Sequence, residues 1–355
     1  MTLVSLPRPI GIPGLAFTTG GTPTITTEVT LDAAGEYIAY VFSAKEAMTI
    51  SHVGFRAGTA AGSPTIEVRI ETVDTSTGLP SGTLWAANTN GTTGTVSSNT
   101  TVLQSLTASA SVAAGQIFCV KIAYASGTSQ QIQRINNYST IFNPSVPYKV
   151  TNTGTPTKGT LGNTDGGMIA VGSSATAFYL LPGMVPINSY SGGTFNNTNS
   201  AKRGLRFTPA FNCRAIGIRW YEAASVGDCN IVIYDDAGTE LSSSSTAFDG
   251  DIVSGSSVLH LYFDNPVTLA AGSTYRAVIE PSSATNVNVG TFTLASANYR
   301  SAFPGGATGH YTTFASAVWT DTATDTLPLL DVIIDQVDNG AGSGGGGGGQ
   351  RVISG

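Results

Sequence analysis

The chain holds three histidines, His52, His260 and His310, and each stands apart from any second base or metal ligand at a workable spacing. No HExxH pair and no GxSxG turn occurs, so neither a helical zinc site nor a nucleophile elbow has an anchor. Carboxylates come next, because two of them suffice for glycoside hydrolysis. Three pairs are close in sequence: Asp249 and Asp251 in FDGDIVSG, Asp235 and Asp236 in YDDAGTE, and Asp321 and Asp325 in WTDTATD. All sit in turn-like contexts, where an Asp side chain accepts hydrogen bonds from its own backbone. Turn chemistry is the first reading, structural calcium held by loop oxygens the alternative, and catalysis a distant third. The expectation is a chain with no catalytic residues, no metal ligands and no cofactor beyond that calcium.

Aromatic rings offer a different chemistry, since a flat ring stacks on the face of a pyranose. Trp85, Tyr138, Tyr299 and Trp319 lie near turns, with Tyr138 and Tyr299 at matching places in two NY segments. They are the candidates for contact with a host-surface glycan, and lids on the ends of a sandwich are the structural alternative. Trp220 shares a face with Ile216 and Ile218 and reads as core. Cys119, Cys213 and Cys229 are an odd set without CxxC spacing. Free thiols are the default, and a bridge between Cys213 and Cys229 stays conceivable. A GxGxxG string in the tail has no room for a following helix, so it is not a dinucleotide site.

The elements that position these residues are strands. In TIEVRIE, Ile66, Val68 and Ile70 alternate with Glu67, Arg69 and Glu71, the period of a strand with one buried and one wet face. SVLHLYFD repeats the pattern, and turns such as STGLPSG and DDAG separate the runs. LDAAGEYIAYVFSAKEAM looks helical, but it aligns with AKRGLRFTPAFN, where Pro209 would end a helix, so both read as strands.

The chain also repeats itself. HVGFR (52–56) matches AIGIR (215–219), TIEVRI (65–70) matches NIVIY (230–234), VAAGQIFCVKI (112–122) matches LAAGSTYRAVI (269–279), and NYSTIF (137–142) matches NYRSAF (298–303). The order is the same in both halves, which points to duplication. The fold expected is all-β: two tandem antiparallel β-sandwich domains, jelly-roll-like, at 17–181 and 187–337. A linker at 182–186 joins them, and extended arms at 1–16 and 338–355 flank them.

Charged residues make up 11% of the chain, and the net charge is −6, from 16 basic and 22 acidic residues. That balance argues against nucleic acid as a partner. No stretch of 18 apolar residues suggests insertion into a membrane, and the amino terminus lacks the pattern of a signal peptide. Thr, Ser, Asn and Gly take the places of surface Lys and Glu, as on extracellular or virion surfaces. At the amino end SLPRPIGIPG is held extended by its prolines, and Arg8 and Ile10 are the residues expected to meet a partner. At the carboxyl end six glycines, 344–349, lead to Gln350, Arg351, Val352 and Ile353, which suit a strand added to a neighbour's sheet edge.

VDTSTGLPSGTLWA (73–86), together with the glycine tract and its short basic-apolar end, resembles the jelly-roll modules of bacterial surface proteins and of phage tail and capsid accessory proteins. The resemblance implies a non-enzymatic structural protein of a phage particle, made in the host cytoplasm and attached through its arms to other virion proteins. It also implies a homo-oligomer, with adhesion to host glycans as the alternative.

Overall fold

A computed structural model describes residues 3–12, 17–18, 24–44, 46–136, 139–140, 148–160, 165–179, 186–195, 201–222, 228–245, 247, 257–282, 286–302, 310–322 and 325–338. Strands dominate, as the period-two pattern and the β-branched content require. The amino-terminal strands are β1 (Leu3–Ile12) and β2 (Phe17–Thr18). The first half continues with β3 (Thr24–Leu31), β4 (Tyr37–Ser43), β5 (Met48–Ala61), β6 (Thr65–Val73), β7 (Pro80–Leu84), β8 (Asn90–Thr92), β9 (Thr101–Val112) and β10 (Ile117–Ser126). It ends with β11 (Ser129–Asn136), β12 (Ser139–Thr140), β13 (Tyr148–Asn152), β14 (Pro156–Thr160), β15 (Asp165–Gly167), β16 (Ile169–Gly172) and β17 (Phe178–Tyr179). The second half has β18 (Ile187–Phe195), β19 (Lys202–Phe207), β20 (Cys213–Glu222), β21 (Cys229–Asp235), β22 (Glu240–Ser243), β23 (Ser257–Leu269), β24 (Tyr275–Pro281) and β25 (Val287–Leu294). A 3-10 helix (Ala297–Ala302) precedes β26 (His310–Ala315), β27 (Val318–Thr322), β28 (Thr326–Pro328) and β29 (Leu330–Asp338).

One sheet of the first half runs β14-β13-β4-β10-β6-β7, and one of the second runs β27-β26-β19-β24-β21-β22. These are the same connections made twice. The other sheets agree as well: β15-β11-β5-β16 answers β28-β25-β20-β29, with β3 on β11 and β9 on β5 matched by β18 beside β25 and β23 on β20. HVGFR and AIGIR fall on β5 and β20, and TIEVRI and NIVIY on β6 and β21. Each half is an antiparallel two-sheet sandwich. In the first, Ile38, Tyr40 and Phe42 of one sheet and Val53 and Phe55 of the other share one buried core. In the second, Leu205, Ala277 and Ile279 are buried from one sheet, and Ile218, Trp220 and Val332 from the other. Trp220 is core, as its pattern indicated.

The partition differs from the expected one at two places. One compact unit contains Thr22–Ser189 together with Leu294–Ala302, and the other contains Tyr190–Thr293 with β1 and β26 to β29. The segment expected as an amino-terminal arm is a strand: β1 pairs antiparallel with β29, Leu3 opposite Asp338 and Ile12 opposite Val332, with an irregularity between Ser5 and Ile10. It occupies the slot beside β29 that β17 occupies beside β16 in the first half. Pro7 and Pro9 fit there because β1 is an edge strand and the irregular stretch asks for no continuous ladder. Ile10 lies in register with Ile334, while the side chains of Arg8 and Ile10 are outside the description. Of the expected linker, 182–185 lie outside the described residues, and so does the whole carboxyl arm from 339, including Gln350, Arg351, Val352 and Ile353. Among the described residues no helix is long and apolar enough to cross a membrane.

Candidate functional site

Asp235, Asp236 and Asp321 are absorbed by structure. Asp235 Oδ1 accepts the Thr239 amide at 2.8 Å, closing a turn. Asp236 takes a two-pronged contact from Arg206, Nε to Oδ1 and Nη2 to Oδ2, both at 2.8 Å. Arg276 Nη2 reaches Asp321 Oδ2 at 2.8 Å, and Thr312 donates to Asp321 Oδ1 at 2.7 Å. The Arg206 contact holds the Asp236 carboxyl below the usual carboxylate range. Burial works against the charge on Asp321, but the bonds from Arg276 and Thr312 outweigh it and its pKa is also lowered. Asp325 is half-buried, and Asp249 and Asp251 lie outside the described residues. Among the described residues no group of three His, Cys, Asp or Glu side chains is placed to hold a metal.

The cysteines are free and buried. Cys213 pairs with Leu269 and Cys229 with Pro281 in different sheets, so the conceivable bridge is not made. Burial pushes the Cys213 thiol up to about 12 and Cys119 higher still, which leaves both unreactive as nucleophiles.

The aromatic candidates part company. Tyr299 is not available to a ligand: it is 1% exposed in the 3-10 helix, edge-on to Phe178 at 4.7 Å. Its hydroxyl oxygen would lie 2.5 Å from a Cβ added at Gly54, a contact only glycine permits. The NY motif marks a packed plug here and not an exposed loop. Tyr138 lies outside the described residues. Trp319, half-buried on β27, is occupied by its neighbours, tilted on Phe314 at 4.9 Å, edge-on to Tyr234 at 5.4 Å, with the Arg276 guanidinium 5.0 Å from its ring. Trp85 lines a groove.

Trp85 follows β7 and has two environments. Part of its indole packs on the inter-sheet core, Nε1 donates to the Ser111 carbonyl at 2.8 Å, and the rest lines a groove of about 690 Å³. Across the ends of β4, β6 and β10, Val41, Val73 and Ile117 make its apolar lining, and Ile117 is 57% exposed. Tyr148 of β13 adds a second ring. It is fixed by donating its hydroxyl to the Gly78 carbonyl at 2.5 Å, inside the β6–β7 hairpin turn, where Gly78 has φ +68. That same turn brings in Asp74. Its Oδ1 accepts the Ser76 hydroxyl at 2.7 Å and the Ser76 amide at 2.8 Å, which lowers its pKa to about 2.

Several polar groups at the groove have bonding capacity to spare. The Asp74 carboxylate also takes bonds from Thr77, and the hydroxyls of Ser43 and Thr75 make none among the described residues. Gln116 accepts the Ala113 amide through Oε1 at 2.6 Å, which leaves its NH2 unpaired among the described residues. The passage VDTSTGLPSGTLWA thus carries Asp74, Gly78 and Trp85. Tyr148 and Ile117 join them only through strand register, which the sequence does not display.

The hairpin gives a first prediction. Ser76→Ala removes the hydroxyl donor and moves the Asp74 pKa from about 2 toward 3.8, read by NMR titration of the side-chain carboxyl. Because the folded value is depressed, the contribution of this turn is complete above about pH 4 and fades as the pH falls toward 2. An unchanged titration would show that Ser76 does not hold the carboxylate.

Register also shows what the duplicate does with the same place. In the first half Cys119 pairs with Val41 and Glu71, and Val41 pairs with Tyr148. In the second, Arg276 pairs with Arg206 and Tyr234, and Arg206 pairs with His310. The positions of Val41 and Cys119 therefore carry Arg206 and Arg276, the two cations of the Asp236 and Asp321 network. The second copy puts ion-paired arginines at these two positions; the first has Val41 at the groove and a buried Cys119, with its own ion pairs, Arg69 and Lys121 on Glu71, alongside. No protein-family model, no curated protein and no solved structure matches the chain.

Proposed function

We propose that the chain is a non-catalytic structural component of an extracellular particle, a phage virion being the setting its composition and resemblance favour. It presents two sandwiches of one design and works by contact with other particle proteins, further copies of itself and the host surface. The observation that carries this reading is how charge is used. Glu71, fully buried, lies 2.6 Å from Arg69 Nε and 3.3 Å from Lys121 Nζ, and Glu28 lies 2.6 Å from Lys149 Nζ and 3.3 Å from Arg134 Nη1. With Asp236, Asp321 and Asp331 also paired, these carboxylates hold sheets together and have no free partner for acid-base work. The groove at Trp85 favours a second, compatible role in adhesion.

The test is composition. Density-gradient purification of particles from cells that produce the chain, followed by quantitative mass spectrometry, is expected to find it in the particle band at a fixed copy number. Recovery only in the soluble fraction would overturn the particle reading.

A further inference from the structure

We propose that the Trp85 groove of the first sandwich is a binding site for a neutral saccharide, with a pyranose face on the indole and its hydroxyls on Asp74, Ser43, Thr75 and Gln116. The inference rests on the non-catalytic reading above and names what that site takes.

The lining selects the ligand class. A volume of about 690 Å³ is the size of a small-ligand cleft, roughly 300–1,000 Å³. Two aromatic rings and an exposed isoleucine would suit a lipid chain equally well, but a lipid would leave the spare polar groups around them dry. Two hydroxyls and an amide NH2 would each lose water without a replacement bond, at a cost that counts against such a ligand. A saccharide meets both demands, apolar on its ring face and hydroxylated at its edge. An extended peptide fits less well, because the groove crosses the ends of β4, β6 and β10 and offers no free sheet edge for a backbone ladder. Charge narrows the class further. Asp74 is held as a carboxylate by two bonds from Ser76, so a uronic or sialic acid within its reach would set carboxylate against carboxylate, while the Lys158 ammonium stands on the other side of the turn, 5.6 Å over the Tyr148 ring.

Duplication supplies the internal contrast. If the apolar floor were only a packing solution, the second copy could use it too. There, Arg206 and Arg276 stand at the positions of Val41 and Cys119, each tied to an aspartate, and Trp319 is covered by Arg276. The two copies keep one strand order and both carry ion pairs on this sheet, but they differ at the Val41 end, where the first is open and the second holds Arg206, as expected where one has been kept for a ligand and the other closed.

The experiment titrates the full chain with a panel of neutral hexose and N-acetylhexosamine oligosaccharides, with uronate- and sialate-bearing ones alongside, by calorimetry and ligand-observed NMR. At least one neutral saccharide is expected to bind, and Trp85→Ala to weaken it tenfold or more. Since Trp85 also touches the core, Ile117→Asp serves as the second variant: it places a charge in the groove from an exposed position, and the same loss is expected with the fold intact by amide exchange. Trp319→Ala is expected to leave the affinity unchanged. Three results would overturn the site: no binding of any neutral saccharide at millimolar concentration, binding of anionic saccharides only, or binding that survives Ile117→Asp and is lost in Trp319→Ala. Release of new reducing ends would instead overturn the non-catalytic reading and leave the binding site standing.

Discussion

Asp331→Ala destabilises the second sandwich by about 3–5 kcal/mol, the usual cost of leaving one partner of a buried ion pair alone. Asp331 is 0% exposed and Arg219 8%. Arg219 Nη2 donates to Asp331 Oδ2 at 2.6 Å and Nε donates at 3.2 Å, across neighbouring strands β20 and β29. Water has no easy route to the guanidinium, because β1 lies over it: a Cβ added at Gly11 would come within 2.2 Å of Nη2 and 2.7 Å of Oδ2. Removing the carboxylate therefore takes away the acceptor of both of these guanidinium bonds where water has little room to replace it. The double variant Arg219→Met/Asp331→Leu recovers most of the loss, since apolar side chains of similar bulk carry no desolvation debt. Denaturant unfolding with strand-resolved amide exchange reads the result at β20 and β29, with β4, β6 and β10 of the first sandwich as the reference. A cost below about 1 kcal/mol for the single variant would show that the pair contributes little.

The first copy meets the same requirement in another way. Arg56, the matching arginine of HVGFR, donates to Asn188 Oδ1 at 3.1 Å and reaches Thr101 Oγ1 at 3.4 Å, and burial lowers its pKa. The motif was legible in the sequence and its partner was not. That division runs through the whole molecule. Alternation in TIEVRIE foretold that Ile66, Val68 and Ile70 are buried, and repetition foretold matched strands. Alternation also put Glu71 on the wet face, yet it is fully buried beside Arg69 and Lys121. Which side chains cover an outer face depends on register across three or four strands, and no local pattern records that. Trp85 could be named from the sequence because it is rare and beside a turn. Its groove could not, because Tyr148 and Ile117 come from strands distant in the chain. Tyr299 shows the converse: a loop aromatic by context became a core plug once Gly54 left room for it.

Deleting residues 1–12 separates the two readings of the amino terminus most sharply. If the segment were an arm, held extended by prolines for a partner, its loss would leave the melting temperature of the isolated chain unchanged. As β1 it is already docked on its own chain. Leu3, Val4 and Ser5 pair with Asp338, Val337 and Gln336, and Ile10, Gly11 and Ile12 pair with Ile334, Ile333 and Val332. Val4 is 40% exposed, and the backbone ladder is the attachment that the register defines. At about 0.5–1.5 kcal/mol net for each backbone hydrogen bond, the ladder is worth on the order of 3 kcal/mol. Its loss also uncovers the Arg219–Asp331 pair at Gly11 and leaves β29 as a bare edge, a surface prone to pair with other chains. The expected outcome is faster amide exchange along β29 and β20, a lower melting temperature and a tendency to self-associate, with exchange in β4, β6 and β10 unaltered. A synthetic peptide of residues 2–12, added in trans, is expected to restore protection at Ile333 and Val337, because its register is fixed by the closeness that only Gly11 allows at Arg219. Unchanged exchange at β29 in the truncated chain would return the segment to the role of an arm.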